Sequence, residues 1–509
     1  MNLGEMLSYG FSLCFEPTTF IMLFVGIILG TIFGALPGVS ATMAVTLGIP
    51  FTYSMDPVRG IAFLVAIYCA SITGGGMTAI LFKIPGVPSS APATFDGYPM
   101  AQRGEGGKAL TVQLITSALG GLFAALCMFV LSPQLTRAAL SFGPSELFAI
   151  TFLGLSILTS LERDNKARTI ISGLLGLFLA CIGIDPLLGI KRLNYGSNML
   201  LSGIEMIPVM IGIFAVTEVL KQTDKPKKIE ASDYKGGGRI KATIPPFREW
   251  WGIKWIIARC AVLGTIVGIL PGAGATIASF LCYSTEVKLS RHPEKFGTGI
   301  IDGIAACETA NNAATGGSMV PLLSLGIPGG NAAAIMMSAM VLKGVQMGPL
   351  LLINQPEFLA ATFSSMAIAN ILMVIVAIFI ARIFAKILDI PYSVLGPTII
   401  MLATIGSFAT KFNIADVKLM AIAGIIGFVL VACKFNAAAL ILGLVLGNLC
   451  ETNLRRAVTI ANGNTIWSKI VDMMSRPVTG LIMLACFIML IYPVIKDALD
   501  NRRKSRQSA

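Results

Sequence analysis

Seven stretches of the chain run without a single Asp, Glu, Lys or Arg: Pro17 to Met55, Gly60 to Phe82, Ala109 to Thr136, Cys260 to Thr285, Thr309 to Leu342, Phe358 to Ala381 and Pro477 to Ile495. Roughly 20 apolar residues cross a bilayer as a helix. Most of these stretches are therefore one crossing each, whereas Pro17 to Met55 is too long for one and must fold back or break. Less clean apolar segments near 145–160, 168–190, 203–220, 254–270, 393–410, 417–433 and 436–450 bring the expectation to about 12 transmembrane segments at that spanning length. The expected fold class is an all-α polytopic membrane protein.

One phrase inside these stretches occurs twice. Gly30-Thr-Ile-Phe-Gly-Ala-Leu-Pro-Gly-Val-Ser-Ala-Thr42 returns as Gly264-Thr-Ile-Val-Gly-Ile-Leu-Pro-Gly-Ala-Gly-Ala-Thr276. Further matches follow in the same order: Thr73-Gly-Gly-Gly-Met77 with Thr315-Gly-Gly-Ser-Met319, Ile84-Pro-Gly86 with Ile327-Pro-Gly329, Arg103-Gly104 with Lys343-Gly344, and Gly173 to Gly176 with Gly424 to Gly427. Ordered self-similarity of this kind marks duplication. It divides the chain into a first transmembrane repeat (1–220), a polar basic linker (221–252), a second repeat (253–454) and an extra C-terminal helix with a basic tail (455–509). The repeats are expected to be inverted, since an odd number of crossings each suits an acidic N-terminus outside and a basic linker inside. Arg455, Arg456, Lys469 and Arg476 would then lie outside, against the positive-inside bias.

Composition agrees with the pattern: 55% hydrophobic residues, 13% charged and a mean hydropathy of +0.81, against about 25% charged in soluble proteins. The net charge of +12 is spread through short loops, the linker and the Arg502-Arg503-Lys504-Ser505-Arg506 tail. It reads as the basic bias of cytoplasmic segments and not as a nucleic-acid surface. The first basic residue is Arg59, so no cleaved signal peptide is expected. Ten cysteines without a CxxC read as small buried hydrophobes, and a single histidine, His292, leaves no His-based metal or haem site. HExxH, Ser/His and P-loop patterns are absent from the sequence, so neither an intramembrane enzyme nor an ATPase is expected. No cofactor is expected beyond a coupling ion.

The Pro-Gly interruptions carry the first candidate chemistry. Broken backbone in hydrocarbon persists only where it is buried in protein or lines a polar cavity, and matched breaks in two halves point to a transporter's binding site. A helix restarting after Pro37-Gly38 or Pro271-Gly272 aims free N–H groups and a positive dipole at one point, which suits a carboxylate. Released carbonyls with Ser40, Thr42, Gly274 and Thr276 offer oxygens to Na⁺. A simple kink is the alternative reading.

A second cluster joins Thr73, Gly74 and Gly75 to Asn311, Asn312, Thr315, Gly316, Gly317 and Ser318. Close helix packing explains the glycines, but it does not explain amides and hydroxyls in a bilayer. The third comprises Pro85, Gly86, Ser89 and Ser90 with Pro328, Gly329 and Asn331, read as a gate or path lining, or equally as an extramembrane turn. Glu308, at the edge of an uncharged run, is a candidate proton relay or cation ligand. Asp302, Glu205 and Glu218 are weaker candidates, while Lys83, Arg103 and Lys343 are read as positive loop ends.

With its duplicated G-x-L-P-G-x-x-A-T phrase, Thr-Gly-Gly clusters, Ile-Pro-Gly segments and Glu308-Thr-Ala-Asn-Asn312 run, the chain resembles the large membrane subunit of the tripartite tricarboxylate transporters, the TctA family, over essentially its whole length. The resemblance implies a bacterial inner-membrane secondary transporter. It would import citrate-like tricarboxylates or other organic anions by symport with Na⁺ or H⁺. Its implied partners are a small TctB-like membrane subunit and a periplasmic, TctC-like solute-binding protein. An anion channel or facilitator without ion coupling is the alternative.

Overall fold

The computed structural model describes residues 3–36, 38–161, 166–185, 187–197, 200–201, 203–224, 243–272, 274–381 and 392–490. Pro37, most of the expected linker, and the chain beyond 490, including the basic tail and the end of the Pro477 to Ile495 run, lie outside the described residues. Among the described residues the regular structure is helical, apart from one two-stranded hairpin. Eight described helices are long and apolar enough to cross a membrane, or nine if Ile466–Ser475 and Pro477–Leu490, bent by 103°, count as one broken span. Three shorter apolar helices, Ala41–Thr52, Asn331–Leu342 and Ser393–Ala409, absorb part of the difference from the expected count, because half-length helices read as full spans in hydropathy.

Two compact units emerge, and each draws on both halves of the chain: Met1–Arg137 with Ile207–Phe428, and Ala138–Met206 with Val429–Ala509. The first unit begins with α1 (Leu3–Phe15), α2 (Pro17–Ala35), α3 (Ala41–Thr52), α4 (Pro57–Phe82), α5 (Ala93–Met100) and α6 (Gly106–Ala139). After α7 (Pro144–Leu161) and α8 (Lys166–Ala180), which belong to the second unit, it resumes with α9 (Met206–Ile211) and α10 (Thr217–Asp224), joined by a π-helical turn. It continues through α11 (Phe247–Ile269), α12 (Gly274–Leu289), α13 (Ile301–Leu325), α14 (Asn331–Leu342), α15 (Leu351–Asn354), α16 (Pro356–Ala381), α17 (Tyr392–Ala409) and α18 (Ile414–Ala432).

Helices α4 and α13 form its centre. Every residue from Gly60 to Leu81 and from Gly303 to Ser324 is buried, on the mostly apolar α4 and on the more polar α13 alike. α2 packs along α4, and α11 packs along α13. Small residues permit both contacts. A Cβ on Gly34 would stand 1.9 Å from the Ser71 carbonyl oxygen, and one on Gly268 would stand 2.5 Å from that of Ala314. The outer helices turn apolar side chains outward, such as Ile21 and Phe24 of α2 and Val262 and Ile266 of α11. Trp251 and Trp255 flank Lys254 at the start of α11, with Lys254 Nζ 3.2 Å from the Trp251 ring centre, a pairing suited to a membrane interface.

The second unit packs α7 and α8 against α19 (Ala437–Ile460), with α20 (Ile466–Ser475) and α21 (Pro477–Leu490) following. Gly176 and Gly443 let α8 and α19 touch backbone to backbone. Its hairpin pairs Gly183 with Arg192 and Ile184 with Lys191. Asp185 accepts from the backbone N–H groups of Leu187 and Leu188 at 2.8 and 2.9 Å and pairs with Arg192 and Arg455. The Leu188 N–H bond, foremost among several, together with Arg455, holds its carboxyl down at about 2.

Candidate functional site

Both repeated phrases end a helix in the same way. α2 stops at Leu36 (φ −73°, ψ 119°) and α11 at Leu270 (φ −74°, ψ 120°). The next glycines, Gly38 and Gly272, take φ +90° and +81°, where an L side chain is strained. Helices α3 and α12 restart at Ala41 and Gly274. Ser40 caps α3 by accepting from the Met43 N–H at 3.1 Å, so one first-turn donor is already taken. Thr42 is half-buried and Thr276 exposed, while Pro271, Gly272 and Gly274 are half-buried. Pro37 lies outside the described residues.

Each break lies beside its Ile-Pro-Gly loop. α4 ends at Lys83 and α13 at Gly326, both left-handed (φ 59° and 73°), and each loop turns back along its own helix. Gly86 N–H donates to the Gly75 carbonyl at 3.3 Å, and Gly329 N–H donates to that of Ser318 at 3.2 Å. Seven residues separate Gly75 from Phe82, so the loop reaches about 10 Å back along α4. Gly86 also abuts the Gly34 carbonyl and Gly329 that of Gly268, while Gly272 N–H donates to the Gly329 carbonyl at 3.0 Å. The prolines sit partly or wholly buried at Pro85 and Pro328, Ser89 and Ser90 are buried, and Asn331 starts α14. Ser90 Oγ donates to the Ile72 carbonyl at 3.3 Å. Both loops pack against the C-terminal thirds of buried helices.

The structural register of the central helices is set by these contacts: Gly74 meets the Thr31 carbonyl as Gly317 meets that of Thr265. Gly75 therefore answers Ser318, one residue along from the sequence pairing of Thr73 with Thr315. Both helices run unbroken through their glycines. Gly74, Gly75, Gly316 and Gly317 all face close neighbours, a Cβ there meeting Thr31, Val87, Ala124 and Thr265 at 2.4–2.6 Å. These four admit neighbouring backbone.

Polar side chains gather where α4 crosses α13. Thr73 Oγ1 lies 3.3 Å from Asn312 Oδ1, Asn312 Nδ2 donates to Asn311 Oδ1 at 2.9 Å, and Cys69 Sγ lies 3.9 Å from Thr315 Oγ1. Thr315 Oγ1 donates to the Asn312 carbonyl at 2.6 Å, Ser318 Oγ to that of Thr315 at 2.7 Å, and Tyr68 OH is 3.5 Å from Ser318 Oγ. Glu308, wholly buried, joins this group: its Oε2 accepts from Gln113 Nε2 and from Ser117 Oγ of α6, both at 3.2 Å. Gln113 Nε2 also donates to the Thr73 carbonyl at 2.9 Å. From α16, Asn370 Nδ2 is 3.7 Å from Cys69 Sγ. Among the described residues, Glu308 Oε1, Gln113 Oε1, Asn311 Nδ2 and Asn370 Oδ1 have no partner, unusual for polar atoms at this depth.

Among the remaining candidates, Arg103 and Lys343 hold loops and Glu218 pairs within its own helix. Arg103 donates to the carbonyls of Thr298 and Gly299, Lys343 to those of Tyr53 and Met55, and Glu218 pairs with Lys221. Gln113, Ser117 and Asn370 escaped the sequence reading, although amides inside uncharged stretches are the signal that selected Asn311 and Asn312. Asp96 escaped too. Its carboxylate accepts from Tyr283 OH at 2.8 Å and from the N–H groups of Gly297, Gly299 and Ile300 at 2.9–3.1 Å, fastening the loop before α13. No group of three or more metal-ligating side chains occurs among the described residues.

The tripartite tricarboxylate transporter TctA family matches residues 20–442. An uncharacterized 52.8 kDa protein in the TAR-I ttuC′ 3′ region of Agrobacterium vitis is 36% identical over 504 residues, covering 98% of this chain and 99% of that protein. A second uncharacterized protein, in the TAR-II ttuC′ 3′ region of the same organism, is 38% identical over 242 residues, 47% of this chain and 98% of that protein. No solved structure matches the chain.

Proposed function

Because the chain belongs to the tripartite tricarboxylate transporter TctA family, we propose that it is the large membrane subunit of a secondary active transporter that imports a small organic anion, a tricarboxylate or another carboxylate, with a coupling cation. A periplasmic solute-binding protein delivers the anion to the outer face of the bacterial inner membrane, and a small integral-membrane subunit completes the assembly. The finer topology in this reading is about 12 segments, counting short and broken helices alongside those of spanning length, in two inverted repeats.

The observation that carries the proposal is the pair of helix breaks with matching backbone angles, the second bonded to its Ile-Pro-Gly loop and the first following a helix whose Gly34 abuts the corresponding loop. Duplicated breaks at membrane depth are the architecture by which transporters present backbone dipoles to an anion. Gly38 and Gly272 shape those breaks, Ser40, Thr42, Gly274 and Thr276 flank them, and the Thr73, Asn311, Asn312 and Thr315 group lies where the repeats cross. The Pro85 to Ser90 and Pro328 to Asn331 loops serve as gates, since displacing either one frees the break it covers.

The test is uptake of labelled di- and tricarboxylates into proteoliposomes holding the chain with its membrane partner and binding protein, under imposed Na⁺ or H⁺ gradients. Saturable accumulation that follows one gradient and needs the binding protein is the expected result. Flux that merely equilibrates and ignores both gradients would make the chain a channel or facilitator.

A further inference from the structure

We infer that the coupling ion is a proton and that its carrier is Glu308, protonated at Oε1; the inference rests on the proposed cation-coupled transport. A carboxylate buried this deeply is costly unless a proton, a cation or hydrogen-bond donors offset its charge. Among the described residues no Lys, Arg or His forms an ion pair with Glu308. The other acids on the helices around it are already engaged or lie at a helix end: Glu286 of α12 with Arg259 of α11, Asp96 of α5 with Tyr283 and three N–H groups, and Asp302 in the first turn of α13. Cys307 beside it and Tyr68 and Cys69 of α4 are thiols and a phenol, uncharged at neutral pH at their ordinary values.

The geometry favours a proton over Na⁺. Oε2 receives an N–H from Gln113, and the orientation of that amide is fixed, because the Thr73 carbonyl it also meets can only accept. N–H groups turned toward the carboxylate repel a metal ion. Both helices that frame the site run unbroken past Glu308, so the backbone carbonyls beside it accept intrahelical bonds and are not released as they are where transporters hold Na⁺. The Asn311 amide interacts with Glu308 but completes no hydrogen bond at Oε1, which is the atom left to bind H⁺. A Cβ at Gly76 would stand 2.8 Å from both carboxylate oxygens, so α4 leaves room for the carboxyl group only because Gly76 lacks one.

Coupling follows from the hydrogen bonds. Two donors at Oε2 favour the anion, and a state in which α6 withdraws Gln113 and Ser117 favours the acid. One proton then binds Oε1 as carboxylate becomes carboxylic acid, and it leaves when the donors return. Gln113 also holds the Thr73 carbonyl, and Thr73 meets Asn312. The same movement therefore reaches the crossing of the repeats.

Infrared spectroscopy of the purified full-length chain across pH tests this directly. A buried carboxylic C=O band that titrates in the wild type and is lost in Glu308→Gln is expected, together with loss of ΔpH-driven uptake in the same variant. Ser117→Ala, which removes one donor to the anion, should carry that band to higher pH, so the inference stays testable if Glu308→Gln does not reach the membrane. A band unmoved by both variants, or uptake driven by a Na⁺ gradient and indifferent to ΔpH, overturns the inference while leaving coupled transport standing. Flux indifferent to every gradient overturns the transport reading, and the infrared band then decides by itself whether Glu308 binds a proton.

Discussion

The two central helices, α4 and α13, are superposable in architecture and unlike in chemistry. Their C-terminal ends, their loops and their glycine contacts with α2 and α11 correspond in one register, down to the left-handed caps at Lys83 and Gly326. Yet where α13 carries Glu308, Asn311, Asn312 and Thr315, the register of those contacts gives α4 Val65, Tyr68, Cys69 and Ile72. Duplication preserved the scaffold, because close backbone packing tolerates no side chain at the contact glycines. The polar positions are free of that constraint, and at these four the carboxylate and amides stand in one copy only, while α4 contributes the hydroxyls of Tyr68 and Thr73.

Breaking the shared scaffold should have the largest effect. Gly34→Val and Gly268→Val drive a side chain into a backbone carbonyl at 1.9 and 2.5 Å, beyond the roughly 1–3 kcal/mol typical of overpacking. Both should abolish folded protein in the membrane, the first at least as severely, by thermal unfolding of the detergent-solubilised chain. If either accumulates with wild-type stability, the two helix pairs are not equivalent.

The next effect separates the copies. Asn312→Leu should eliminate uptake at normal membrane levels, leaving buried Asn311 Oδ1 without its donor at about 1–3 kcal/mol. Cys69→Leu, at the answering position, should keep measurable transport. Equal loss in both would mean that polarity at the crossing is not the specialised feature.

At the breaks, Gly38→Ala and Gly272→Ala should each cost about 1–2 kcal/mol for the left-handed backbone alone. A Cβ at Gly38 also collides with the Gln222 side chain at 1.3 Å. Adding Gln222→Ala should therefore recover part of the Gly38→Ala loss, read as unfolding temperature.

Smallest is a pH effect in the second unit. The Asp185 carboxyl is held below its unfolded value, so its contribution is complete above about pH 4, the unfolded carboxylate range, and is lost as pH falls toward about 2. Hydrogen-exchange protection of the 183–192 hairpin, taken relative to the intrinsic exchange rate at each pH, should be constant above that range and fall below it. Asp185→Asn should abolish the step.

Much of this was legible in the sequence. Uncharged stretches disclose membrane helices because hydrocarbon excludes charge at every position of a span. The doubled Leu-Pro-Gly phrase discloses both breaks, since Pro and Gly act locally. The family was legible from the same motifs and agrees with the match over residues 20–442. Three things only the tertiary structure decided. The full-span count, eight or nine among the described residues, depends on where helices stop, and short helices such as α3 and α14 have the hydropathy of longer ones. The grouping into two units depends on which faces pack, which hydropathy does not encode. The partners of Glu308 come from α6, nearly 200 residues earlier, and proximity between helices so distant in the chain is set by packing alone.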